Sequence, residues 1–457
     1  MSPYTRPRQP PNQPLRRLLA EAGWTGARLA REINAEGAQQ GWHLTYDRTA
    51  VAHWLKGTRP RSPAPELAAE VLTRALGRPV NVVDIGLNPT HAAPIDQGSV
   101  PWGGDVAAML EHLDQPPGQG SVTRSGVYSL TSLTVPTWPA QGTSLSASKL
   151  SGREVPVGPE QISVCQTLLS VFSQNDAAFG AGSVLEPLRR FLATSVTDWL
   201  RAPAEPRFRR ELCTATAQMA YLCAFAHFDS NLHPQAQQYY LASLSLAHEG
   251  GDRAGYAVGL RGLSVQAHAL GHFQHADRLA TQAVHLGIPH ASPPQQAFLL
   301  GQLAVTRAVA GDLRASNHHL SAAEQRLESA HSAWAPVGAY HPASLALQHA
   351  TVARGLHDHQ RAVRELQLSL RYRPEGENRS RAITLAHLAE AQLSLGHLDL
   401  ACHTWAEFLA LYPQIASARA DDLLKSQVAS LRPHRRNRTA GSLLEQALYL
   451  RQLRYRS

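Results

Sequence analysis

Leu395-Gly-His-Leu-Asp-Leu-Ala401 runs on to Trp405, Phe408 and Leu409 and stops at Pro413. Leu-Gly marks a turn between two helices, and Ala401 and the three bulky residues follow at i, i+4, i+7 and i+8, one helical face. The same arrangement recurs upstream. Leu270-Gly-His-Phe-Gln-His-Ala276 is followed by Leu279, Ala280, Ala283 and Val284, then by Pro289. Weaker copies lie at Gly311 to Leu320 and at Gly355 to Leu366, which places equivalent glycines at 271, 311, 355 and 396. Gln237 to Leu246 reads as the second helix of an earlier unit, and Ser442 to Leu453 as a basic capping helix. A helical hairpin of this kind cannot bury its apolar face alone, so successive copies are expected to stack.

A turn glycine, a small Ala where helices approach, a bulky residue one turn on and a closing Pro resemble the tetratricopeptide repeat. The glycines are 40, 44 and 41 residues apart, longer than the ~34 usual for that repeat, so these are extended copies. The resemblance implies an α-solenoid over residues 159–457. Its concave groove would bind a peptide, a small molecule or a partner protein.

The chain has 457 residues, 43% hydrophobic and 17% charged, with only 6% aromatic. Ala and Leu must therefore do most of the packing, which favours an all-α fold. Of 43 basic residues only Lys56, Lys149 and Lys425 are lysines, and none follows Gly. A G-K-[S/T] phosphate loop is thereby excluded, and no lysine fits the protein-kinase pattern. The cysteines 165, 213, 223 and 402 form no C-x-x-C, so no zinc-ribbon or thioredoxin-type site is expected, and Cys213 and Cys223 read as packed small hydrophobes. His268, His272 and His275 have metal-ligand spacing, but a repeat turn falls between them and no Cys or acidic pair accompanies them. His248-Glu-Gly-Gly-Asp252 lacks the second His of a zincin, and no G-x-S-x-G is present. No catalytic residue, metal site or cofactor is predicted, and the chain is not read as an enzyme. The polar, proline-rich first residues carry no signal-type apolar core, and no run of ~18 apolar residues exists. The expectation is a cytoplasmic protein with no membrane partner.

Charge is uneven. Residues 1–79 hold 12 basic and 6 acidic side chains, residues 80–418 hold 22 and 26, and residues 419–457 hold 9 and 3. Two basic ends thus flank a mildly acidic middle, and a basic end is a candidate footprint for nucleic-acid phosphates. The first end reads as four short helices. Leu15 to Ala22 stops at Gly23. Ala27 to Ala35 is capped by Thr25. Tyr46 to Lys56 is capped by Thr45 and closed by Gly57, and Glu66 to Leu76 stops at Gly77.

Thr49-Ala-Val-Ala-His-Trp-Leu-Lys-Gly57 resembles the recognition helix and closing glycine of the Xre class of helix-turn-helix repressors. Glu66 to Gly77, with Val80 and Val83, resembles the helix pair that completes such a domain, so the likeness covers residues 14–87. It implies that Arg48, Thr49 and His53 face base edges in the major groove of double-stranded DNA. It implies that Lys56, Arg59 and Arg61 lie along phosphates. Glu36 to Leu44 is extra length for that class. Either the second helix runs on, or the turn carries a loop containing Trp42.

Residues 88–158 are rich in Pro, Gly, Ser and Thr and read as a flexible linker. A short helix, Val106 to Leu113, and an apolar patch, Val127 to Trp138, interrupt it. A helix-turn-helix head, a linker and degenerate repeats together resemble a group of actinobacterial transcriptional regulators. Val157-Gly158, Phe179-Gly-Ala-Gly182 and Ala236-Gln-Gln-Tyr-Tyr240 also look like theirs. The resemblance implies a DNA-binding regulator whose repeats sense a signal. One head covers too few bases for high specificity, so a homodimer on paired half-sites is expected. The competing reading is a repeat scaffold for protein–protein interaction that does not bind DNA.

Overall fold

The computed structural model describes residues 11–39, 42–78, 80–87, 104–114, 127–138, 156–329 and 340–454. Every regular element among them is helical, and the β contact recorded is an isolated bridge between Val157 and Ala204. The rest of the predicted linker, and Lys149, lie outside the described residues. The chain divides into two compact units. One takes residues up to 104, 115–135 and 232–235, and the other takes 105–114, 136–231 and 236–457.

The first unit contains helices α1 (Gln13–Glu21), α2 (Gly26–Gln39), α3 (Arg48–Leu55) and α4 (Ala64–Leu76). Leu15, Leu29, Ile33, Val51, Leu67, Leu72 and Ile85 close its core with almost no exposure. Asn12 ties the ends together. Its side chain accepts from Leu15 N–H at 3.0 Å and donates to Ile85 O at 2.9 Å, while its own N–H donates to Leu55 O. Thr25 caps α2 as expected, accepting from Arg28 N–H. Of the two alternatives for residues 36–44, the helix runs on to Gln39. The return path is then fixed by Asn34, whose amide bonds both the carbonyl and the N–H of Tyr46 at 2.8 and 2.9 Å.

Residues 127–135 also belong to this unit, with Tyr128, Leu130 and Leu133 buried. Leu130 N–H donates to Glu70 Oε2 at 3.1 Å. Arg74 forks onto Glu36 and also meets Glu70 Oε1 at 3.3 Å. Burial pushes the Glu70 carboxyl up to about 7 although Arg74 pulls the other way.

The second unit opens with α5 (Val106–Asp114), α6 (Pro159–Phe179), α7 (Leu185–Phe191) and α8 (Thr197–Arg201). Helix pairs then follow in chain order. They are α9 (Pro206–Asp229) with α10 (His233–Glu249), and α11 (Arg253–Ala269) with α12 (Phe273–Gly287). Next come α13 (Pro293–Val309) with α14 (Leu313–Glu328), and α15 (Pro342–Gly355) with α16 (His359–Tyr372). The last are α17 (Asn378–Ser394) with α18 (Leu398–Leu411), and α19 (Ala418–Leu431) with α20 (Arg438–Arg454). Successive pairs stack, α12 on α13 and α16 on α17 among others. That is a solenoid-like array.

Each turn within the first five pairs has one residue at positive φ: Asn231, Gly271, Gly311, His357 and Gly396. After each of the last four, the following N–H reaches back to a carbonyl five residues earlier, as in His272 to Ala267 and Asp358 to Ala353. This is the two-bond helix stop that needs a left-handed residue. The fourth turn therefore corrects the expectation. Gly355 is the last residue of α15, and His357 takes the left-handed position. Counting from these five residues aligns the array. Five positions on stand Ala236, Ala276, Ser316, Ala362 and Ala401, and nine on stand Tyr240, Ala280, Leu320, Leu366 and Trp405, all at most 1% exposed.

The array also returns on itself. Helix α6 packs on both α9 and α17. Ala416 N–H donates to Phe179 O at 2.7 Å, and Gly182 N–H donates to Ala416 O at 3.1 Å. A Cβ on Gly182 would lie 2.6 Å from that of Ala416, which accounts for glycine there. Beside this seam Arg379 is buried against Asp176 at 2.9 Å and Asp229 at 3.4 Å, with its guanidinium over the Phe225 ring. No helix among the described residues is long and apolar enough to cross a membrane.

Candidate nucleic-acid interface

Helix α3 starts one residue after Asp47, not Thr45. The Asp47 side chain accepts from Ala50 N–H at 2.8 Å, and that bond holds its carboxyl below the usual range. Val51 and Trp54 turn inward, and Tyr46 meets the Trp54 ring edge-on at 5.2 Å. The other side of the helix is left to solvent. Arg48, Thr49 and His53 are exposed on it, and Lys56 is exposed at the C-cap. At about 100° per residue, Thr49, His53 and Lys56 fall within about 60° of one another, and Arg48 lies about 100° round. Lys56 also stands where a cation complements the helix dipole. Gly57, at φ 104, turns the chain away, and Arg59 and Arg61 are exposed in the segment before α4.

Four acids of this unit are held by other arginines, while Asp47, Glu66 and Asp84 form no ion pair among the described residues. Glu21 pairs with Arg78, Glu32 with Arg28, and Glu36 and Glu70 with Arg74. Arg48, Lys56, Arg59 and Arg61 have no carboxylate partner among the described residues. Arg16, Arg17 and Arg31 are exposed in the same state, and motif reading missed them. Their only sequence signal is the basic excess of residues 1–79, which does not say which arginines the acids neutralise.

In the second unit, one cleft of about 260 Å³ lies between α6 and α9, lined by Gln166, Arg210, Glu211 and Gln218. A smaller one of about 70 Å³ is lined by His268, Val305, Thr351 and Val352. Both fall below the roughly 300 Å³ of ordinary ligand pockets. No group of three His, Cys, Asp or Glu residues that could hold a metal occurs among the described residues. His268 meets the Phe273 ring instead, and burial lowers its pKa. The four cysteines are buried and free.

Residues 15–88 match a family model described as the SP15 N-terminal domain. The similarity spans the four-helix segment and the turn after it. No curated protein matches the chain.

Proposed function

We propose that the chain is a sequence-specific DNA-binding transcriptional regulator. In this reading the first unit is a helix-turn-helix head of the Xre type. Helix α3 enters the major groove, with Arg48, Thr49 and His53 at base edges and Lys56, Arg59 and Arg61 on phosphates. The observation that carries the reading is the pairing pattern. A short, firmly capped helix buries Val51 and Trp54 and presents cations that form no ion pair among the described residues, while Glu21, Glu32 and Glu36 hold other arginines. Such a surface suits a polyanion.

The second unit is then a tetratricopeptide-type array that binds a signal ligand, peptide or partner protein and supports a homodimer. The five aligned turns and small-residue positions support that part. Selection of duplexes from a random library by the full chain tests the proposal. A recovered motif with two half-sites about one or two helical turns apart is the expected result. Absence of any duplex binding at low salt overturns it.

A further inference from the structure

The second basic end of the chain has a defined place in the array. No Asp or Glu occurs from residue 423 to residue 444. The α19–α20 corner falls inside that span and exposes Arg432, Arg435, Arg436 and Arg438. Of the acids on the helices packed around it, Asp422 pairs with Lys425, Asp421 with Arg454, Glu407 with His403 and Glu390 with Arg354, while Asp399 and Glu445 form no ion pair among the described residues. The four arginines have no carboxylate partner among the described residues.

The corner is built rather than loose. Leu431 and Ala440, fully buried in one core cluster, anchor it on both sides. Asn437 N–H donates to His434 O at 2.9 Å, and Gly441 N–H donates to Asn437 O at 2.8 Å. A Cβ on Gly441 would lie 2.8 Å from Arg435 O, so glycine lets the arginine turn sit against α20. Helix α20 carries no acid in its first turn, where acids are usual. Four guanidiniums and a helix N-terminus therefore add potential of one sign on a fixed platform.

We propose that this corner is a second DNA-contacting surface, which grips backbone phosphates without regard to sequence. The inference rests on the reading of the chain as a DNA-binding regulator. Guanidinium forks match phosphate oxygens. An anionic membrane is the poorer fit, because residues 432–439 offer no large apolar side chain to insert. The head would choose the operator, and the corner would add affinity to every duplex.

The test is a salt titration of the full chain on a random-sequence duplex and on the selected operator, read by fluorescence anisotropy. The parent is compared with the quadruple variant Arg432→Gln, Arg435→Gln, Arg436→Gln, Arg438→Gln. Four lost phosphate contacts should flatten the slope of log K against log salt by about 3.6 units on both duplexes. Affinity for both should fall by the same factor. Arg436→Gln alone, which removes one exposed charge, should flatten the slope by about one unit and keeps the test valid if the quadruple variant melts early. Unchanged slopes in both variants overturn the inference and leave the head reading standing. So does a loss confined to phosphatidylglycerol vesicles when the same variants are co-sedimented with them. A parent that binds neither duplex overturns both.

Discussion

Arg48 and Lys56 stand at the two ends of α3, about 12 Å apart along its axis. The proposal gives them different work, so their substitutions should differ in kind. Arg48→Ala should cost about 1–3 kcal/mol at the operator and relax the base preference there. Lys56→Ala should weaken all duplexes alike and flatten the salt slope by about one unit. Equal, sequence-blind losses in both would remove Arg48 as a base reader. Both positions were legible from the likeness to the repressor helix, and what the structure adds is that they are exposed opposite buried Val51 and Trp54. The cap was not, since Thr45 and Asp47 are both acceptable capping residues and only the backbone chooses. Nothing in the sequence singles out Glu70, yet its carboxyl is strongly perturbed in the folded chain. Its folded pKa of about 7 exceeds the ordinary 4.5 because burial outweighs Arg74. The folded state therefore holds a proton that the unfolded chain releases between about pH 4.5 and 7, and stability must fall as pH rises through that window. The loss is on the order of 3 kcal/mol. Melting of the first unit should drop accordingly from pH 5 to 7.5 and flatten in Glu70→Gln. An equal pH slope in both proteins would place the titration elsewhere.

Turns explain which elements could be read. Gly271, Gly311 and Gly396 announce themselves because glycine takes positive φ without strain. His357 does the same work without the signal, and Gly355 two residues earlier supplies a false one. The register recovers once Ala362 and Leu366 are counted from His357. A β-carbon in the left-handed region costs about 1–2 kcal/mol, and a new glycine adds about 0.4–1 kcal/mol of unfolded-state entropy. His357→Gly should therefore stabilise the array by about 0.5–1 kcal/mol. The converse, Gly396→Ala, should destabilise it by about 1 kcal/mol through backbone strain alone, because nothing lies within 4 Å of the added carbon. Denaturant midpoints measure both, and destabilisation by His357→Gly would show that the imidazole earns its place. The length of α2 was ambiguous for a similar reason. Gly37 looks like a stop, yet a Cβ there would lie 2.6 Å from Leu44 Cδ1, so the residue serves the returning chain.

At the scale of the molecule, the separation of charge into two basic ends was visible in composition, and stacked helices followed from the repeat. The return of the array on itself was not visible. Asp176 and Arg379 are 203 residues apart, and no local pattern links them. Gly180 and Gly182 stood out as glycines, but their partner Ala416 has no signature. This closure has a thermodynamic consequence. A repeat array joined only to its neighbours opens piecewise, from whichever unit is weakest. Tying α6 to α17 and to Ala416 removes the free ends there, so these elements should open together. Arg379→Met tests this. The substitution removes the ion-pair partner of buried Asp176 and Asp229, leaving only the more distant Arg419 to act on them, and should cost about 3 kcal/mol. Burial already pushes Asp176 up to about 6, and losing Arg379 should raise it further, so part of the cost returns as proton uptake. Amide hydrogen exchange of the full chain reads the outcome helix by helix. Protection should fall in α6, α9, α17 and α19 together, while α13 and α14, on which the seam does not bear, keep theirs. Loss confined to α17 would mean that the contact is a local ion pair and that the array opens one pair at a time.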